Sequence, residues 1–156
     1  MSVYARIGIA ILACYGAGLL GSLFMTADSL VWYDSLVKPF FTPPAWLFAP
    51  VWLVLYGCMS AALAIVWSHD PHASEWRGWV PLFLAHLTLN AAWTAFFFGF
   101  HVPLVAFVDI LALIAVVSML VAGAWEIDKR AAYLLLPYLA WISFAALLNI
   151  SIWYLN

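Results

Sequence analysis

The charges of this chain fall in clusters, and the stretches between them hold almost none. Residues 7–27, 39–69 and 131–156 carry no Asp, Glu, Lys or Arg, and residues 78–125 carry only Asp109. A helix crosses the hydrocarbon core of a bilayer with about 20 apolar residues. Three of these stretches therefore hold one span each. The fourth is too long for one span and suits two, broken at Gly99-Phe100-His101-Val102-Pro103, a turn-forming cluster. The predicted spans are 5–25, 45–67, 79–99, 103–125 and 131–153, with a longest connection over 26–44. The fold class is all-α: one domain, 1–156, folded as an integral membrane bundle of five transmembrane helices.

Composition points the same way. Hydrophobic residues make up 69% of the chain and charged residues 8%, against about 25% charged in a soluble domain. So few charges cannot build a water-facing surface, and a lipid bilayer is the solvent for most of the exterior. The net charge is -2, without a basic stripe, which excludes nucleic acid as an expected partner. Cys14 and Cys58 both lie in apolar runs outside any metal-binding spacing and read as buried structural thiols. Ile11-Leu12-Ala13-Cys14 comes close to a lipoprotein cleavage box. The apolar run continues through Met25, so the segment reads as a retained first span.

Prolines and cations add detail. Pro44, Pro81 and Pro103 lie near predicted helix starts, where a missing N–H costs nothing. Pro50 and Pro137 fall inside spans and are candidate kinks. With five spans, Arg6, Arg77, Lys129 and Arg130 share the side of the N-terminus, and Lys38 stands alone on the other. That asymmetry places the N-terminus in the cytoplasm if the membrane is a bacterial inner membrane. The expected location is a bacterial envelope, as a multi-pass protein.

Span three carries the most functional information. His86, Asn90, Trp93 and Phe97 recur at helical spacing and share one face. Ala91, Ala95 and Gly99 form a small-residue stripe nearly opposite. Small residues let helices approach closely in lipid. The stripe therefore reads either as packing within the chain or as the seam of a homodimer, and Ala13, Ala17 and Gly21 show the same rhythm in span one. Polar groups within a membrane are expensive and usually face the bundle interior; His86, Asn90, Asp109 and Asn149 are such groups here. Asp109 needs either protonation or a partner, and reads as a structural hydrogen bond or as a proton or ligand site. His86 lacks a second ligand one turn away, which argues against metal or haem ligation, and no metal site is expected. Trp32, Trp46, Trp76, Trp79 and Trp125 lie near predicted interfaces and fit an aromatic belt. Trp52, Trp93 and Trp141 lie deep in spans two, three and five. They read either as core or as the walls of a flat apolar cavity for a planar ligand. The connection over 26–44, stiffened by Pro39, Pro43 and Pro44, reads as an interfacial anchor or as a lid.

A longer pattern runs through these residues: Trp32-Tyr33, Leu36, Lys38-Pro39, Pro43-Pro44, Trp46, Trp52 and Leu55-Tyr56. It continues in Leu89-Asn90, Trp93, Phe97-Phe98, Val108-Asp109 and Leu136-Pro137-Tyr138 with Trp141. The pattern resembles the TspO/MBR family, the translocator proteins, tryptophan-rich sensory proteins and peripheral benzodiazepine receptors, from about residue 30 to 150. The resemblance implies a five-helix bundle, commonly a homodimer, that binds porphyrins, sterols and synthetic aromatic ligands below its first loop. The matched pocket positions are Tyr33, Pro43, Trp52, Asn90, Trp93, Trp141 and Ala145, with His86 one turn from Asn90. Animal members carry a sterol-recognition stretch after the last helix with a basic residue following a tyrosine. Here Tyr154 is followed only by Leu155-Asn156, so the resemblance does not extend to that stretch.

The expected function is a membrane receptor for porphyrins and other hydrophobic aromatic ligands, assisting their transport or regulating tetrapyrrole-linked responses. No obligatory cofactor is implied; porphyrin enters as ligand. One alternative is a light-dependent porphyrin-degrading catalyst, in which Trp52 and Trp141 match the implicated tryptophans. The other is a sensor acting through a partner protein. No nucleophile, base or metal constellation for conventional catalysis is present in the sequence.

Overall fold

The computed structural model describes residues 2–69 and 74–156; of residues 74–77 only the helical backbone is described. Expectations for the side chains of Trp76 and Arg77 lie outside that range. Among the described residues, six α-helices follow in chain order: α1 (Val3–Ser22), α2 (Ala27–Ser35), α3 (Ala45–Val66), α4 (Ser74–Thr94), α5 (Pro103–Ile127) and α6 (Lys129–Leu155). Five of them, all but α2, are long and apolar enough to cross a membrane.

Local chemistry sets the ends. Ser2 caps α1 by accepting a hydrogen bond from the Ala5 N–H at 3.2 Å. Pro44 precedes α3, and Pro103 opens α5 at a position where its missing N–H is harmless. Pro81 departs from the expectation that it marks a helix start. It lies in the interior of α4, because that helix already begins at Ser74 in the polar segment ahead of the apolar run. Asp128 joins α5 to α6. Its carboxylate caps α6 by accepting from the Arg130 N–H at 2.9 Å and pairs with the Arg130 guanidinium at 2.8 Å. The hydrogen bond from Arg130 holds the Asp128 carboxyl down at about 2.

Two features of the backbone depart from the expected five helices and four loops. The first is α2, a short helix within 26–44. Thr26 Oγ1 caps it by accepting from the Ser29 N–H, and Asp28 lies in its first turn. The second is a single π turn, Ala95–Gly99, which follows α4 directly and ends where the Phe100 N–H reaches the Ala95 carbonyl at 2.8 Å. His101, at φ 55, then turns the chain into α5.

The spanning helices close a ring. Contacts run α1 to α3, α3 to α6, α6 to α5, α5 to α4, and α4 back to α1. In lipid no hydrophobic force drives helices together, so packing and hydrogen bonds must do so. On α1 the buried stripe is Ala10, Cys14, Ala17 and Gly21, one residue of a kind that admits a neighbouring helix at each turn. A Cβ on Gly18 would come within 2.6 Å of the Tyr56 ring, so that glycine gives α3 its close approach. Gly21 lies against Thr94 and the Ala91 backbone, and Phe24 covers Gly99. Within the chain, α1 and the residues just after it thus take up the Ala91–Ala95–Gly99 side of α4. Arg6 ties the start of α1 to the end of α3 through the Trp67 carbonyl at 3.2 Å.

Trp79 departs from the expected aromatic belt. It is only 3% exposed and donates from Nε1 to the Leu120 carbonyl at 2.8 Å. Gly123 makes the room: a Cβ there would lie 3.0 Å from the indole. Trp46 is exposed, and Trp125 packs beside Tyr133 with the Lys129 ammonium 5.8 Å from its ring. Cys14 is fully buried, whereas Cys58 is half-buried.

Candidate functional site

Four helices of the ring place side chains around one interior cavity. Trp52 comes from α3, Asn90 and Trp93 from α4, Ile110 and Leu113 from α5, and Ile142 and Ala145 from α6. These residues leave about 10 Å³ of water-sized space, room for about one water molecule. The walls are packed against each other, with two indole rings, three branched aliphatic side chains and one amide exposed to the space between them.

Hydrogen bonds fix the polar wall. The Tyr56 hydroxyl donates to Asn90 Oδ1 at 2.8 Å, and Asn90 Nδ2 donates to the Tyr138 hydroxyl at 3.1 Å. One amide thus bridges α3 and α6 from α4. Trp93 is held in the same way: its Nε1 donates to Asn149 Oδ1 at 3.0 Å, and Asn149 Nδ2 donates to the Pro103 carbonyl at 2.7 Å. Satisfied polar networks of this kind rigidify a core, and they leave the indole faces as the surfaces a guest would meet. Trp52 packs on Tyr56 and Tyr138 with ring centroids 5.4 and 6.2 Å apart.

The connection over 26–44 packs on the π turn and the residues after it. Trp32 of α2 stacks on His101 with ring centroids 4.2 Å apart and planes 17° from parallel, and meets Phe97 edge-on. Tyr33 packs against Phe97 and Phe98, and Phe97 stacks on Trp93. The π turn presents both phenylalanines to α2. The Lys38 ammonium lies 4.6 Å from the Tyr33 ring centroid. Burial raises the Tyr33 phenol above its ordinary value, with Asp34 adding to the rise. At the far end of the lid, the Val37 N–H donates to Asn156 Oδ1 and Asn156 Nδ2 donates back to the Val37 carbonyl, at 3.0 and 3.1 Å. A larger space of about 630 Å³ lies outside the ring. It is an open, mainly apolar groove between Val37–Phe41 and the last turns of α6.

Of the residues expected at a ligand site, Trp52, Asn90, Trp93 and Ala145 meet at the cavity. Tyr33 stands one layer above, separated from Trp93 by Phe97. Trp141 is half-buried beside Phe48 and Phe144 and does not line the cavity. Pro43 is half-buried in the lid and does not line it either. His86 is fully buried behind it. The His86 Nδ1–H donates to the Phe83 carbonyl, Nε2 lies 3.4 Å from Met59 Sδ, and the ring faces Tyr138 edge-on. Among the described residues, no group of three His, Cys, Asp or Glu side chains gathers to hold a metal ion. Sequence reasoning did not assign Tyr56, Tyr138, Ile110, Leu113 or Ile142 to the site. Tyr56 and Tyr138 do fall within the matched pattern, and that was the available signal.

The family model described as "TspO/MBR family" matches residues 10–155 of the chain. The chain belongs to the TspO/MBR family. It is 41% identical to the tryptophan-rich protein TspO of Chlorobaculum tepidum over 92% of this chain and 90% of that one. It is 40% identical to the tryptophan-rich protein TspO of Archaeoglobus fulgidus over 94% of each. It is 36% identical to the human translocator protein over 86% of this chain and 80% of that one. Membership in the TspO/MBR family and five helices of spanning length make this a multi-pass membrane protein.

Proposed function

We propose that this protein is a membrane receptor for porphyrins and related planar hydrophobic ligands, and that it assists their movement or reports their presence. The observation that carries the reading is the convergence of Trp52, Asn90, Trp93 and Ala145, from three helices, on one interior cavity. Two indole faces suit a flat aromatic guest, and Ala145 leaves room beside them. The names of the relatives speak of tryptophan-rich and translocator proteins; for this chain, transport stays part of the proposal.

Ligand sites usually measure about 300–1,000 Å³. The closed cavity is far smaller, so binding a porphyrin requires the lid and the helix ends beneath it to move apart. The receptor therefore opens to admit its ligand. Titration of purified protein in detergent with a porphyrin should quench tryptophan fluorescence saturably in the micromolar range or below. Porphyrin left unbound at those concentrations contradicts the reading.

Trp52 at the cavity wall favours a second reading, light-dependent degradation of the bound porphyrin. Illumination of the complex would then bleach the porphyrin band faster in the natural protein than in a Trp52→Phe, Trp141→Phe variant. Equal bleaching rejects specific catalysis. The cytoplasmic N-terminus and the homodimer belong to the same proposal. Because α1 and Phe24 cover much of the Ala91–Ala95–Gly99 side, a seam between copies would draw on further surface.

A further inference from the structure

Among the described residues, Asp109 is the buried polar side chain left with an unpartnered atom; it stands next to the residues that line the closed cavity and is not itself one of them. It lies on α5, where its neighbour Ile110 and, one turn on, Leu113 both line the cavity. On a helix, residues four apart share a face, so Asp109 and Leu113 belong to one stripe and Ile110 flanks it. The side chain is only 8% exposed, yet its Oδ2 has no hydrogen-bond partner among the described residues. The other buried polar side chains around the cavity are bonded: Asn90 to two tyrosines, Asn149 to Trp93 and the Pro103 carbonyl. An unpartnered carboxyl group inside a membrane bundle is costly and marks a functional position.

We propose that Asp109 is the acceptor pole of the ligand cavity, recognising planar aromatic guests through a cationic nitrogen or an N–H group. The inference rests on the cavity's being a ligand site and adds the class of guest it selects. The indole faces of Trp52 and Trp93 bind any flat ring, since stacking is indifferent to the polar groups at a ring's edge. Asn90 makes one bond at each end of its amide and keeps one N–H and one lone pair, so it offers a donor and an acceptor alike and favours neither guest. Asp109 has a free oxygen, and a carboxyl oxygen accepts a hydrogen bond whether or not the group is ionised. A guest that opens the cavity and brings an N–H to that oxygen satisfies it. A guest of the same shape without the donor leaves it unpartnered, and sites with buried polar groups reject such analogues strongly.

The test compares two probes with one ring system: 9-aminoacridine, cationic and rich in N–H at neutral pH, and acridine, neutral and without N–H. Both are titrated against the natural protein, Asp109→Asn and Asp109→Leu in the same detergent, with tryptophan quenching as the readout. The natural protein should prefer 9-aminoacridine by about tenfold or more, as expected of a hydrogen bond to a charged group. The preference should shrink in Asp109→Asn and vanish in Asp109→Leu, with 9-aminoacridine affinity falling and acridine affinity rising as the unpartnered oxygen is removed. An equal preference in all three proteins overturns the proposal and leaves Asp109 a structural residue. If Asp109→Leu does not fold, the isosteric Asp109→Asn carries the comparison. A parallel porphyrin titration separates the two readings. Porphyrin bound without an aminoacridine preference rejects only the role of Asp109, and porphyrin unbound by the natural protein rejects the receptor itself.

Discussion

Asn90 shows how one side chain shapes the site. Its amide donates to Tyr138 and accepts from Tyr56, so three helices meet at one residue. Asn90→Leu removes both bonds and leaves two hydroxyls without their partner. The expected cost is about 1–3 kcal/mol, read as a lower thermal midpoint in detergent. Trp93→Phe keeps an aromatic face and loses the Nε1 bond to Asn149, so its cost should fall at the lower end of that range. The sequence showed Asn90 and Trp93 through their helical spacing and their polarity in an apolar run. It did not show that Tyr56 and Tyr138 would hold Asn90, because a bond between helices depends on rotation and depth, which no single span reveals. The same limit explains Trp79. A tryptophan near a span end reads as an interfacial anchor, and only Gly123 on the facing helix lets it turn inward.

At the scale of elements, the spans were legible because charge is so rarely tolerated in lipid. Helices α3 and α5 start where the prolines and the apolar runs placed them. The short helix α2 was not foreseen. Its signal, Thr26 with Asp28 in the first turn, was present, but nine residues without an apolar face give a weak pattern. The π turn was invisible, since Ala95–Gly99 continues the apolar run. These two elements meet at the Trp32–Phe97 and Tyr33–Phe98 contacts, and Trp32 also stacks on His101 just beyond the π turn. An aromatic pair contributes about 0.5–1.5 kcal/mol beyond burial. Trp32→Ala should therefore loosen the lid and speed both porphyrin association and release by roughly two- to tenfold, measured by stopped-flow tryptophan quenching. At the opposite end, Asp128 caps α6, and its carboxyl titrates lower in the folded protein than in a free chain. A depressed value means that its stabilisation is complete above the ordinary carboxylate range near 4 and is lost as pH falls toward 2. Asp128→Ala should lower stability by about 1 kcal/mol at neutral pH and by less in acid, as followed by thermal melts across pH.

The whole molecule is a ring of five helices whose interior is nearly filled. Trp52, Asn90, Trp93 and Ala145 stand at its small cavity, with Asp109 beside Ile110 on α5. The sequence made the residue types of that wall legible, and the resemblance made their grouping legible. The closed state of the cavity was not, because a void of this size is decided by a few ångströms of packing. A porphyrin site that opens beneath the lid and beside Ala145 is the central claim, and Ala145→Phe tests it most directly. A phenyl ring there fills the space between the indoles, while circular dichroism and the thermal midpoint report that the bundle is intact. Titrated with a porphyrin, the folded Ala145→Phe protein should lose at least tenfold in affinity relative to the natural protein. Unchanged affinity in a folded variant would place the ligand elsewhere and contradict the account.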